Sequence, residues 1–161
     1  MNRTFAGLAL SMAMVGYFNV ATATNQEAKD AYYAAADKAA ADYRDARLKC
    51  DVLNGNAQDV CVEQAKAAQT RAKGEAEALY LNTRKARQKA RTDIANADFA
   101  VAKAMCDSKT GNDKNVCIKQ AKAMQEHALA DAKADRKVSL EKCEATAGAD
   151  KEKCVAAVQS K

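Results

Sequence analysis

Cys50-Asp51-Val52-Leu53-Asn54-Gly55-Asn56-Ala57-Gln58-Asp59-Val60-Cys61 is the first of three copies of one short element. The second copy runs from Cys106 to Cys117 around Gly111, and the third from Cys143 to Cys154 around Gly148. Each places ten residues between its cysteines and a glycine five residues after the first, and the three pairs use all six cysteines of the chain. The flanks are rich in Ala, Lys, Glu and Gln, with no proline anywhere, and read as helix. In an unbroken helix, residues eleven apart stand about 16 Å apart along the axis. A disulfide needs its Cα atoms within about 7 Å. Bridged cysteines therefore require the chain to reverse between them. Asn54-Gly55-Asn56, Thr110-Gly111-Asn112-Asp113 and Gly148-Ala149-Asp150 supply residues that tolerate a left-handed backbone and can end one helix. The Asn or Asp after the glycine can then cap the next helix. Each copy is thus expected to be a helix, a tight turn and a helix, clipped by a bridge that contributes about 3 kcal/mol on chain-entropy grounds.

Six cysteines allow 15 pairings. The three equal spacings favour the local set 50–61, 106–117 and 143–154. Zinc sites space their cysteine pairs two to four residues apart, and the chain has one histidine, His127, so metal ligation is the weaker reading and no metal or other cofactor is expected.

At the amino terminus, Arg3 precedes a run from Phe5 to Phe18 almost free of polar groups, and Ala21-Thr22-Ala23 follows as a small-residue cleavage site. This is the pattern of a secretory signal peptide over 1–23, cleaved after Ala23. Its apolar run is shorter than the roughly 20 residues a spanning helix needs, so no retained transmembrane helix is expected. Export agrees with the cysteines, because disulfides persist in oxidising compartments. The expected domain is 24–161, one repeated helical-hairpin unit. Alanine makes up about a quarter of it, tryptophan is absent and large aliphatic residues are scarce. Such a core buries little area, so the clips carry more of the stability than in a leucine-rich bundle. The net charge of +5 is finely mixed in sign, which argues against a dedicated nucleic-acid binder.

Ala28, Tyr32, Ala35, Ala39, Tyr43, Ala46 and Cys50 recur at steps of three and four and mark one face of a first helix. Tyr32, Tyr33 and Tyr43 thicken this alanine seam, in preference to forming a ligand-stacking surface. After the first clip, Cys61, Ala65, Ala68, Ala72, Ala76, Leu79, Thr83, Ala86, Ala90, Ile94, Ala97, Val101 and Ala104 hold the same register without a break. That continuity favours one rod of about 45 residues, roughly 65–70 Å long. Leu81-Asn82-Thr83 offers N-cap residues where the rod can instead turn. Beyond the second clip, Cys117, Ala121, Met124, Ala128 and Ala132 continue a helical face, and 155–158 form a last short helix. Met105 and Met124 read as core, and His127 as a surface histidine.

Arg84, Lys85, Arg87, Lys89 and Arg91 form the densest basic run. Its plain reading is a solvated border beside a packed stripe. Its sharper reading is a contact for an anionic envelope component, such as phosphorylated lipid headgroups, or for an acidic partner.

The repeat extends beyond the clips. Ala41-Asp42-Tyr43 stands to Cys50 as Ala97-Asp98-Phe99 stands to Cys106, and 62–67 match 118–123. The first two copies are 56 residues apart and the last two only 37, so the third unit is shortened. On these residues the chain resembles a group of small exported, Ala/Lys-rich proteobacterial proteins that repeat a Cys-Asp-x-x-x-Gly-Asn-x-x-x-x-Cys-Val-x-x-Ala-Lys-Ala element. They are often labelled "cell envelope biogenesis protein TolA" or simply hypothetical. The resemblance implies a periplasmic, helical protein of the envelope and no established activity. It also implies a helix break near Asn82-Thr83, where such proteins tend to carry a proline that this chain lacks.

The expected fold is all-α, with elongated antiparallel hairpins of three to five helices clipped by local disulfides. No nucleophile lies beside a base at recognisable spacing and there is no glycine-rich phosphate loop, so no enzyme is expected. The leading function is a non-catalytic periplasmic structural or interaction protein whose partner is an unidentified envelope protein or anionic component. The alternative is a periplasmic binding module, either a helical stress chaperone or a thiol-based metal or redox buffer. An alanine seam this thin also admits a homodimer, in which a second chain covers it.

Overall fold

The computed structural model describes residues 25–160, so the expected signal peptide lies outside the described residues. Within them the chain forms five helices and no strand: α1 (Asn25–Cys50), α2 (Asn56–Leu81), α3 (Arg84–Cys106), α4 (Gly111–Glu144) and α5 (Ala149–Ser160). Each helix packs on its neighbours in sequence, α1 on α2, α2 on α3, α3 on α4 and α4 on α5. The result is an antiparallel array of clipped hairpins, as the repeat requires.

All three bridges form with the local pairing. Cα atoms are 5.5 Å apart at Cys50–Cys61, 5.6 Å at Cys106–Cys117 and 5.4 Å at Cys143–Cys154. The three turns share their hydrogen bonding as well as their spacing. The carbonyl of the first cysteine accepts from the amide three residues on, that of Leu53, Lys109 or Thr146, at 3.0, 3.0 and 3.1 Å. Gly55, Gly111 and Gly148 take φ of +59°, +55° and +64°. They do not end the first helix, which stops earlier, at Cys50, Cys106 and Glu144. The glycines stand instead at the mouth of the second helix. Nor does the following residue cap that helix. Gly55 is itself the N-cap of α2 and Thr110 that of α4, neither with a side-chain cap bond. Asn56 is already helical and sends its Nδ2 to the Ala104 carbonyl at 2.6 Å, tying the start of α2 to the end of α3.

The long rod does not form. The chain turns at Asn82, which adopts a left-handed conformation (φ 45°, ψ 30°) and whose amide donates to the Ala78 carbonyl. Thr83 then caps α3 by accepting from the Ala86 amide at 3.1 Å. The unbroken register was a poor guide because two antiparallel helices can each keep a three-and-four spacing across a two-residue turn. Breaking the rod lets α2 and α3 bury each other, which a straight helix cannot do.

The buried apolar set among the described residues is thin: nine alanines, Cys50, Cys106, Cys143 and Val158. Cys50, Cys106 and Cys143 are its largest fully buried side chains, so the first sulfur of each bridge is core as well as clip. The predicted face of α1 is buried or half-buried at every position from Ala28 to Cys50. On α2 the single seam is corrected. Ala68 and Ala72 are exposed, and Leu79 is 81% exposed. Because α2 is held between α1 and α3 it needs two stripes, and the second runs through Ala67 and Gly74. A Cβ on Gly74 would lie 3.3 Å from that of Ala90, so α2 and α3 approach closely there. On α4, Ala121 and Ala132 are buried but Met124 is 64% exposed. Met105 is also exposed, so neither methionine belongs to the core.

Candidate interaction surface: two equivalent hairpin grooves

The first two clipped hairpins each carry a shallow groove along their helix–helix seam. The α1–α2 groove has a volume of about 190 Å³ and the α3–α4 groove about 240 Å³. All eight positions lining the first recur 56 residues later lining the second. Ala39, Asp42, Tyr43, Ala65, Ala68 and Gln69 correspond to Ala95, Asp98, Phe99, Ala121, Met124 and Gln125. The local cause is the repeat itself. The same clip fixes the same stagger of two helices, so small residues leave the same gap below one aromatic ring.

The rims differ in how their charge is held. Asp42 pairs with Lys38 of its own helix at 2.6 Å. Asp98 pairs with Arg71 of α2 at 2.9 Å, which joins one hairpin to the next. Gln125 donates to Asn96 at 2.8 Å across the second groove.

The first groove continues toward the open end of the hairpin as an apolar cleft of about 200 Å³ between Tyr32 and Leu79. Here Tyr32 is half-buried and stacks on Tyr80, with centroids 5.2 Å apart and planes 15° apart. It also contacts Tyr33 at 5.3 Å, whose exposed ring has the Lys29 ammonium 6.0 Å from its centroid. Tyr32 and Tyr43 thus thicken the seam as expected, while Tyr33 looks outward.

A wider depression of about 540 Å³ lies between α1, α2 and α3 beside the first two clips. Its lining mixes signs: Arg47, Lys66 and Lys103 against Asp59, Glu63 and Asp107. Arg47 pairs with Asp51, and Lys66 with Glu63 at 2.7 Å. The hydrogen bond from Lys66 to Glu63 raises the lysine pKa. The bond from Lys114, at 2.8 Å, holds Asp107 below the ordinary carboxylate range. This charge pattern neutralises itself and selects no ligand of one sign.

The basic run opens α3, directly after the Asn82 turn. Arg87 donates to the Asn82 side chain at 3.1 Å. Lys89 pairs with Asp93 at 2.9 Å and reaches Glu77 of α2 at 3.5 Å, and its hydrogen bond with Asp93 raises its pKa. Arg84 is half-buried, with its Nη1 enclosed and lacking a hydrogen bond, and Lys85 is exposed. Arg91 is exposed on the next turns. No acidic residue occupies the first turn of α3. Three cations therefore sit at the positive end of a helix dipole, an arrangement that an anion would relieve.

His127 is exposed and pairs with Asp131 at 3.1 Å when protonated. Every cysteine is bridged. No cluster of three or more His, Cys, Asp or Glu able to hold a metal occurs among the described residues. No helix among them is long and apolar enough to cross a membrane. The groove residues Gln69 and Gln125, and the close contact at Gly74, were not singled out from the sequence. Aligning the whole chain with itself at an offset of 56 would have found the first two. No protein-family model, curated protein or solved structure matches this chain.

Proposed function

We propose that this is a non-catalytic structural or interaction protein of the periplasm, one that presents repeated grooves on a disulfide-clipped helical array to another component of the cell envelope. The observation that carries this reading is the residue-by-residue equivalence of the two hairpin grooves. A duplicated shallow surface suits repeated contact with an extended partner better than it suits chemistry, which needs an enclosed and preorganised polar site. The three bridges agree with an oxidising compartment. The basic start of α3 supports an anionic component as one such partner. The resemblance to exported Ala/Lys-rich envelope proteins points the same way.

Two measurements test this. The intact mass of the protein recovered from the periplasm is expected to match a chain starting at Thr24, six hydrogens lighter than its reduced form and inert to alkylation before reduction. Photo-crosslinkers placed at Ala68 and Met124 are then expected to capture the same envelope component. A chain with free thiols, or different captures at the two equivalent positions, would defeat the proposal.

A chaperone-type binding module is the second reading, favoured by the exposure of Leu79 and Met124 beside apolar grooves. It requires suppression of a client's aggregation at stoichiometric ratios, and no effect there removes it.

A further inference from the structure

Leu79 is the most exposed large apolar side chain among the described residues. It does not stand alone, because Leu81 and Tyr33 are exposed as well. All three lie toward the end of the array where α1 begins, α2 ends and α3 starts. Tyr33 contacts Tyr32, Tyr32 stacks on Tyr80, and Leu79 and Tyr80 border the apolar cleft together with Ala28 and Ala31. The apolar surface is therefore continuous from α1 to the end of α2.

Charge of one sign frames it. From Ala78 to Thr92 the chain carries Arg84, Lys85, Arg87, Lys89 and Arg91 and no carboxylate. Lys89 is held by Asp93 and Glu77. Arg84, Lys85 and Arg87 enter no ion pair among the described residues. Arg87 bonds only the neutral Asn82 amide, and the enclosed Nη1 of Arg84 has no partner. Across the cleft, the Lys29 ammonium stands by the Tyr33 ring. Glu27 and Asp30 also open α1, where Asp30 accepts from the Gln26 amide at 2.8 Å. The opposite end of the array differs. Val52 is 79% exposed, nearly as much as Leu79, but signs alternate around it. Arg47 pairs there with Asp51, and Lys114 of the neighbouring clip with Asp107.

Exposed leucine, tyrosine and unpaired cations on one surface complement an anionic lipid interface. Leucine enters the acyl region, tyrosine rings sit at headgroup depth, and Lys and Arg meet the phosphates. An acidic protein would call for the cations without the exposed leucines, and an apolar ligand for the cleft without the cations. The geometry points to this end of the array as a contact for an anionic lipid surface, made by Leu79, Leu81, Tyr33, Arg84, Lys85 and Arg87. Lipid is then the anionic envelope component of the function proposed above, on which this contact rests. Vesicle binding by purified protein and groove capture in the periplasm are separate measurements, so either can fail without the other.

Co-sedimentation with vesicles tests the contact. The oxidised protein is expected to bind vesicles of phosphatidylglycerol and phosphatidylcholine at low salt, to be released as salt rises, and to leave vesicles of phosphatidylcholine alone unbound. Lys85→Gln and Arg87→Gln should each weaken binding about fivefold. Leu79→Ser should weaken it at least about tenfold. All three positions are exposed, so helical content by circular dichroism should be unchanged. The chain has no tryptophan, so Leu79→Trp supplies a single reporter. Its emission should shift to the blue on the anionic vesicles, while that of Val52→Trp stays where it is. No binding to those vesicles, binding that all three weakening variants leave intact, or a shift at Val52→Trp in place of Leu79→Trp each overturns the inference. Retention on polyglutamate in place of the vesicles overturns it as well, and makes the partner an acidic protein.

Discussion

Gly74 joins two helices by lacking a side chain. Its absent Cβ would meet Ala90 at 3.3 Å, tighter than a comfortable van der Waals contact. Gly74→Ala gains about 1 kcal/mol of helix propensity and spends a similar amount on that contact, so its net effect should be small. Gly74→Val adds branches that the contact cannot take and should destabilise by about 1–3 kcal/mol in urea unfolding. Thr83 is the other single residue on which the α2–α3 hairpin rests, since its hydroxyl caps α3. Thr83→Ala should cost about 1 kcal/mol in the same measurement. Asp107 gives the region a mild pH dependence. Its folded pKa is depressed by Lys114, so its contribution is present above the ordinary Asp range and is lost as pH falls through the folded value. Both partners are more than a third exposed, so salt should weaken the effect, and Lys114→Met should abolish it.

At the scale of the element, the clips are the units that the spacing of cysteine and glycine made legible. The ten-residue insert between helical flanks demanded a reversal, and the reversal is there. What was not legible was the role of each turn residue. A glycine that ends one helix and a glycine that begins the next look identical in sequence, because both require only a positive φ. The break at Asn82 was hidden for a different reason. Register describes faces, and faces survive a two-residue turn, so only the burial available between α2 and α3 selects the hairpin over the rod. The grooves were legible in part, through the match of Asp42-Tyr43 with Asp98-Phe99. The clips should also differ in what their loss does. Removing the first with Cys50→Ala and Cys61→Ala takes a fully buried sulfur from the α1–α2 seam and should cost about 2–5 kcal/mol. Removing the third with Cys143→Ala and Cys154→Ala should release α5 alone, because the main packing of α5 is on α4. Hydrogen exchange should then show lost protection confined to the end of α4 and to α5.

For the molecule as a whole, contacts between neighbours in sequence make the fold quasi-one-dimensional. Its stability is close to a sum of hairpin terms and the interfaces between them. Denaturation should therefore spread over a range of local stabilities, lowest at α5 and highest around α2 and α3, and native-state hydrogen exchange can resolve that gradient. The alternation of helix direction also sorts the turns between two poles. The first two clips lie at one end, and the Asn82 turn and third clip at the other. The third clip stands farther out than the Asn82 turn, because α4, at 34 residues, is about 16 Å longer than the 23-residue α3.

One of the four turns among the described residues carries no bridge, and a protease would reveal it. A cut inside any clip, at Lys109 or Lys151 for example, leaves both ends joined through sulfur. A cut beside Arg84 or Lys85 severs the only covalent link between the halves. On a non-reducing gel, tryptic nicks in the clips should thus be invisible. A nick at the Asn82 turn should yield two fragments, one ending there with a single bridge and the other beginning there with two.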